Sequence, residues 1–168
     1  VRAYAALAND GLMPQLKLVK GGAPLPPQRA VSAKTAREVR HMLEQVVAPA
    51  GTATRAAIAQ YAVAGKTGTT RKVAETGGYA GNRHQSLFIG MMPAERPRLV
   101  GLVVIDEPAA EGYYGGLVAA PVFSRVLQGA ARLLQISPEG TRVPELAPPS
   151  ATRTVAFPAD GTTERPRT

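Results

Sequence analysis

The chain has 168 residues, a formal net charge of +8 at neutral pH, 45% hydrophobic residues and no cysteine. That length and apolar content suffice for one domain-sized core, while the absence of thiols excludes disulfides and thiolate metal sites. Two histidines, His41 and His84, are too few and too widely spaced for a metal cluster, and the longest apolar runs fall short of the roughly 20 residues of a membrane span.

The positive charge raises the question of nucleic acid. Residues 1–137 hold 16 Lys+Arg against 8 Asp+Glu, and the remainder holds 4 against 4, so the excess lies in the foldable body. The cations are spread along that body, aromatics make up only 5%, and no stacking motif interleaves with them, as a single-strand binder requires. A site for a carboxylate-bearing ligand accounts for the charge equally well. The sequence starts at Val1 rather than at a methionine, so it is expected to be an excerpt or a processed piece of a longer product.

The opening "VRAYAALAND" has the pattern of the last turns of a helix, with Gly11 in the left-handed position that follows and Pro14 preventing continuation. "LKLV" is predicted as a short strand or extended arm, and "KGGAPLPPQR" as a loop. The clearest helix follows. Thr35 and Glu38 have capping-box spacing, Val39, Met42, Leu43, Val46 and Val47 form one stripe, and Pro49 and Gly51 end it, with His41 on the polar side.

Residues 62–73, "AVAGKTGTTRKV", are predicted as a strand, and Glu75 to Gln85 as a Gly-rich loop. "SLFIGMM" and "RLVGLVVIDE" are two apolar strands joined by the hairpin signal "PAERP", with Gly90 and Gly101 at points of twist or close approach. A last helix is predicted to start near Pro121, a favourable first-turn position, and to turn Val122, Phe123, Val126, Leu127, Ala130 and Leu134 onto the sheet. The fold class is therefore α/β, of the α+β type: an antiparallel sheet flanked by helices. From Pro138 the Pro- and Thr-rich sequence loses periodicity, so 138–168 is expected to be a mostly disordered tail.

The lysine strand carries the chemistry. It is not a phosphate-binding loop, because the first glycine of that pattern would stand at residue 60, which is Gln60. On a strand, Thr67 and Thr69 project to the same side and offer two hydroxyl donors to one carboxylate. Lys66 adds positive charge nearby, and Gly68 allows a substrate backbone to approach and pair as an extra strand. Free amides of that edge can face a developing oxyanion. These groups form an acyl-transfer platform without a nucleophile.

Lys66-Thr67-Gly68 is the K-T-G triplet of penicillin-binding proteins and serine β-lactamases. "VAGKTGTTRKV" before "SLFIGMMPAERPRLVGLVVIDEP" and then "YYGGLVAAPVFSRVLQGAARLL" closely resembles the end of the transpeptidase domain of class B penicillin-binding proteins, in particular the septal, cell-division type. The resemblance covers Val1 to about Pro138, so residues 1–137 are expected to be the carboxy-terminal part of that domain, with a transpeptidase/β-lactamase-like fold that is incomplete in this chain.

The resemblance implies that Lys66 organises the active-site hydrogen bonds and charge. Thr67 and Thr69 would hold the terminal carboxylate of a peptidoglycan stem peptide ending in D-Ala-D-Ala, or of a β-lactam. The Thr69 amide would supply one arm of the oxyanion hole, Arg71 would guide the carboxylate, and Tyr113 and Tyr114 would form an aromatic wall over the ligand. Tyr79 and His84 are weaker candidates, with His84 also readable as simply exposed. The resemblance further implies cell-wall and cell-shape functions at the periplasmic face of the bacterial inner membrane, an anchor upstream, divisome partners, and no cofactor, metal or nucleic acid.

The departures matter as much. None of the five serines stands three residues before a lysine or two before an asparagine, so the S-x-x-K and S-x-N motifs of the family are absent. Activation of a serine is central to this chemistry, and the chain alone is expected not to acylate. Without the preceding elements its apolar faces are expected to stay uncovered and to favour association. A β-lactamase shares the lysine strand but needs a positioned hydrolytic water, and the 113–116 stretch fits a transpeptidase better. The other readings are a non-catalytic truncated binding module that keeps the carboxylate platform and, well behind, nucleic-acid binding.

Overall fold

The computed structural model describes residues 1–17, 21, 23, 25–74, 77–108 and 112–138, without the side chains of 80–82. The tail expected from residue 138 therefore lies almost wholly outside the described residues. A three-stranded antiparallel sheet is built from β3 (Ala64–Val73), β4 (Tyr79–Met92) and β5 (Leu99–Asp106), in that spatial order. Helix α3 (Gly115–Leu133) covers one face, and α1 (Arg2–Ala8) and α2 (Ala33–Glu44) cover one end of the other. A two-stranded ribbon, β1 (Leu12–Met13) with β2 (Gln28–Arg29), lies beyond α1.

Alternation along the strands sorts the side chains. Gly65, Thr67, Thr69 and Arg71 of β3 share the α3 face with His84, Ser86, Phe88 and Gly90 of β4 and Gly101, Val103 and Ile105 of β5. Gly65, Gly90 and Gly101 are in register across all three strands and make a trough for α3. A Cβ on Gly101 would stand 2.9 Å from Leu127 and one on Gly90 3.0 Å from the Phe123 ring. Phe123 thereby settles edge-on against Phe88, with ring centroids 4.8 Å apart, among Ala119, Ala120, Leu127 and Ala131. On the opposite face Ala64, Met91 and Val100 meet Tyr4, Leu7 and Leu43, while Leu102 and Val104 remain exposed.

Several expectations change. The helix cap is Ser32, whose hydroxyl accepts from the Thr35 N–H at 3.0 Å, so α2 starts two residues before Thr35 and ends at Glu44, with Val46 and Val47 reaching the core from the following turn. Within α2, Met42 is exposed and Arg40 is buried. The Arg40 guanidinium donates to the Leu7 carbonyl at 2.6 Å, Asp10 Oδ1 at 3.0 Å and the Glu95 carbonyl at 3.4 Å, joining α2 to the end of α1 and to the β4–β5 turn. His41 stays on the exposed polar side, as expected.

Gly11 has φ +83 and donates to the Ala6 carbonyl at 2.8 Å, the helix-terminating role predicted for it. The strand forms earlier than "LKLV", at Leu12–Met13; Leu16 and Lys17 carry no strand, and 18–20 lie outside the described residues. Most of the supposed loop at 75–85 is strand, because β4 runs 14 residues from Tyr79 and pairs with β3 past a bulge between Arg71 and Val73.

Helix α3 starts six residues before Pro121, which turns its buried stripe to Ala119, Ala120, Phe123, Leu127 and Ala131 and leaves Val126 and Leu134 exposed. A proline inside a helix deprives the carbonyl four residues earlier of its donor. That carbonyl belongs to Leu117, and the Arg55 guanidinium, from the short 3-10 turn Thr54–Ala56, donates to it at 3.3 Å.

Candidate functional site

β3 is an edge of the sheet and pairs only with β4 among the described residues. An edge strand leaves alternate N–H and C=O groups available for another chain. Thr67 and Thr69 lie on the same face, as expected, and each meets a partner from elsewhere. Thr67 Oγ1 is 3.4 Å from Thr52 Oγ1, and Thr69 Oγ1 accepts the N–H of Gly115 at 3.3 Å.

The N-cap of α3, Tyr114, makes no side-chain cap bond, so Thr69 satisfies one of the orphan amides of that helix end. The approach is close enough to require glycines: a Cβ on Gly115 would lie 2.3 Å from the Leu87 carbonyl oxygen, and one on Gly116 2.0 Å from that of Thr52. The Gly115-Gly116 pair is thus what lets the helix end reach the strand.

Lys66 alternates to the opposite face and is exposed, and its Nζ bends back to the main-chain carbonyl of Thr67 at 3.1 Å. Gly68 shares the Lys66 face. A Cβ there would stand 2.0 Å from the Leu87 side chain, so the missing side chain of Gly68 also makes room for a neighbour within the fold. Arg71 is exposed on the threonine face, paired with His84, and has no ion pair among the described residues.

Tyr113 and Tyr114 stand beside this strand. Tyr113 stacks on His84 with ring centroids 4.0 Å apart and planes 8° apart, and Tyr114 tilts against Tyr113 at 4.7 Å. The neighbouring Tyr113 side chain raises the Tyr114 pKa above its usual value, through hydrogen-bonding first and electrostatic interaction second. His84, a weaker candidate also readable as simply exposed, is buried, with the Tyr113 ring stacked on it. Tyr79 is exposed at the far end, opposite Val73, and is not brought to the threonines.

Thr52 and Ser86 complete the surroundings and were not singled out from the sequence. Ser86 pairs across from Thr69, is fully buried, and donates its hydroxyl proton to the Tyr113 carbonyl. The signal for Ser86 was its strand register, visible only once the β3–β4 pairing is known.

Below the site, Lys72 bridges Asp106 at 2.9 Å and Glu107 at 2.6 Å, and Arg83 joins Glu107 at 2.7 Å. Hydrogen bonds from Lys72 first and Arg83 second hold the Glu107 carboxyl below its usual range; Lys72 and then Gln85 do the same for Asp106. The same bonds raise Lys72. This lattice ties β3 to β5 across β4. It leaves Lys66 and Arg71 as cations with no carboxylate bound among the described residues.

A groove of about 650 Å³ lies elsewhere, between α2 and the β4–β5 turn, with Arg37, Arg40, Met42, Ala94 and Arg96 in its wall. None of the lysine-strand groups lines it. Among the described residues there is no cluster of metal-binding side chains and no helix long and apolar enough to cross a membrane.

The structure thus sets a threonine pair on an edge strand, with Arg71 on the same face, Lys66 on the other and an aromatic pair nearby. In comparison with known proteins, the sequence profile described as "Penicillin binding protein transpeptidase domain" matches residues 1–128. This chain belongs to the penicillin-binding protein transpeptidase family. It is 44% identical over 137 residues to a probable peptidoglycan D,D-transpeptidase PenA of Neisseria gonorrhoeae, covering 82% of this chain and 23% of that protein. It is 39% identical over 138 residues to the peptidoglycan D,D-transpeptidase FtsI of Escherichia coli K12, again over 82% and 23%.

Among solved structures, the transpeptidase domain of Burkholderia pseudomallei penicillin-binding protein 3 superposes with a TM-score of 0.72 at 42% identity, covering 82% of this chain and 42% of that one. The chain spans about a quarter of the length of these curated relatives.

Proposed function

We propose that residues 1–137 are the carboxy-terminal part of a peptidoglycan D,D-transpeptidase domain that works, with the rest of a longer polypeptide, at the periplasmic face of the inner membrane in septal wall synthesis. The observation that carries this reading is the placement of Thr67 and Thr69 side by side on an edge strand, next to Tyr113 and Tyr114. The terminal carboxylate of a D-Ala-D-Ala stem peptide, or of a β-lactam, accepts from the two hydroxyls and is drawn in by Lys66 and Arg71. The peptide lies along the open edge of β3, where Gly68 presents no side chain to it and the Thr69 amide donates to the carbonyl oxygen as charge develops.

A serine from the preceding part of the domain attacks the carbonyl of the penultimate D-Ala, the terminal D-Ala leaves, and an amine of a neighbouring strand takes the acyl group from the serine ester. With a β-lactam the ring opens, and the leaving nitrogen stays tethered to the acyl group. Divisome proteins are the expected partners of the whole molecule.

Labelled penicillin tests the division of labour. The complete polypeptide should take up the label covalently, and residues 1–168 alone should take up none, because no serine here has a lysine three residues on. A covalent adduct on the isolated chain would overturn the proposal.

A further inference from the structure

Ser86 and Thr69 are direct cross-strand neighbours on the face turned towards α3. Each holds one end of the same three-residue segment. The Ser86 hydroxyl donates to the carbonyl of Tyr113, and the Thr69 hydroxyl accepts the N–H of Gly115. The Tyr113 carbonyl takes no backbone bond among the described residues, since Leu117 and Val118 both donate to the carbonyl of Tyr114. Ser86 is fully buried, and its bond reaches a residue 27 positions away rather than its own strand. A buried hydroxyl left unpaired is costly, so this bond fixes both partners.

With one anchor before Tyr114 and one after it, the segment has few free dihedrals, and the rings it carries stand where the anchors put them. One ring stacks on His84 and the other leans on the first.

We propose that Ser86 is a positioning residue of the ligand site: its buried hydroxyl sets where the Tyr113–Tyr114 pair stands beside the threonines of β3. The inference rests on the transpeptidase reading of that strand. Ser86 touches no ligand. It acts through the tyrosines, so its effect falls on ligand capture and not on the acylation step.

The test uses the complete polypeptide with two substitutions, Ser86→Val and Ser86→Thr, which share size and shape and differ by one hydroxyl. Both are favourable strand residues. Acylation rate is followed against the concentration of a fluorescent penicillin, giving a half-saturating concentration and a limiting rate, with thermal unfolding measured alongside. Ser86→Val should raise the half-saturating concentration about threefold to tenfold, the scale of one hydrogen bond, with the limiting rate little changed. Ser86→Thr should return the wild-type value at a similar unfolding midpoint.

Equal half-saturation in the two variants, or a loss confined to the limiting rate, overturns the proposal. Should the wild-type polypeptide take no penicillin, the transpeptidase reading fails by itself. Ser86 is then judged by the ring-current shift of labelled His84, which Ser86→Val should reduce and Ser86→Thr preserve. Identical shifts refute the positioning role.

Discussion

Replacing Thr69 by valine removes one oxygen and keeps the shape of the side chain, so the change isolates what the hydroxyl does. A hydroxyl has one proton to donate and lone pairs to accept with. In the structure an acceptor position is used by Gly115 N–H at 3.3 Å, from the first residue of α3, and the proton remains available for a ligand. Loss of the Gly115 bond, long and at an exposed threonine, costs about 0.5 kcal/mol, roughly a factor of two. Loss of the bond to an anionic carboxylate costs about 1.5–3 kcal/mol, roughly ten- to a hundredfold.

The acylation efficiency of the complete polypeptide, measured with a penicillin and with the methyl ester of its carboxylate, separates the two. Thr69→Val should lower efficiency towards the acid by the larger factor and towards the ester by the smaller, with Thr69→Ser restoring both. Equal losses on acid and ester would refute the carboxylate-gripping role, and losses within twofold on both would refute any role of the hydroxyl.

Arg40→Met should destabilise the fold by about 2–4 kcal/mol in chemical denaturation, since it leaves two carbonyls and a carboxylate without their shared donor. Arg40→Lys should recover only part, because an ammonium cannot span all three acceptors. Arg55→Ala should cost about 1 kcal/mol in the native background and close to nothing once Pro121→Ala has returned a backbone donor to the Leu117 carbonyl, a coupling read from a double-mutant cycle.

The Lys72 lattice has a defined pH signature. Asp106 and Glu107 have folded pKa values below their ordinary 3.8 and 4.5, so their contribution to stability is fully present above those values and is lost as pH falls through the folded ones. Lys72, raised above 10.5, contributes below that value and loses its contribution as pH rises through the folded pKa. Lys72→Gln should move the Glu107 carboxyl titration, followed by NMR, upward towards 4.5; an unmoved titration would show that Lys72 is not the group responsible.

The order of strands and the face shared by Thr67 and Thr69 were legible because they follow from period-two alternation and short hairpins, both local in sequence. What local patterns cannot see is a partner brought in from far away. Pro121 suits a first helical turn, and the Arg55 guanidinium, 62 residues from Leu117, supplies a donor to the carbonyl that its interior position leaves free. His84 is a polar residue in a Gly-rich stretch, and it is buried because Tyr113 stacks on it. Arg40 occupies the buried position on α2 because three acceptors from two separate segments, the end of α1 and the β4–β5 turn, converge there, whereas the apolar Met42 beside it faces solvent. Ser32 and Thr35 are both credible caps by residue type, and the hydrogen-bond direction decides between them. The clustering of Ser86, Thr69 and Tyr113 likewise needs both the strand register and the path of the chain after β5.

The substitute donor that Arg55 provides to the interior of α3 has an evolutionary corollary. Among sequences that share this fold, positions 55 and 121 should covary: lineages with proline at 121 should keep an arginine, or another long donor, at 55, and lineages that drop the proline should let 55 drift. Because a lone change at 55 leaves that carbonyl to solvent while a change at 121 gives it a backbone donor, the mutational route through 121 first is the less costly one.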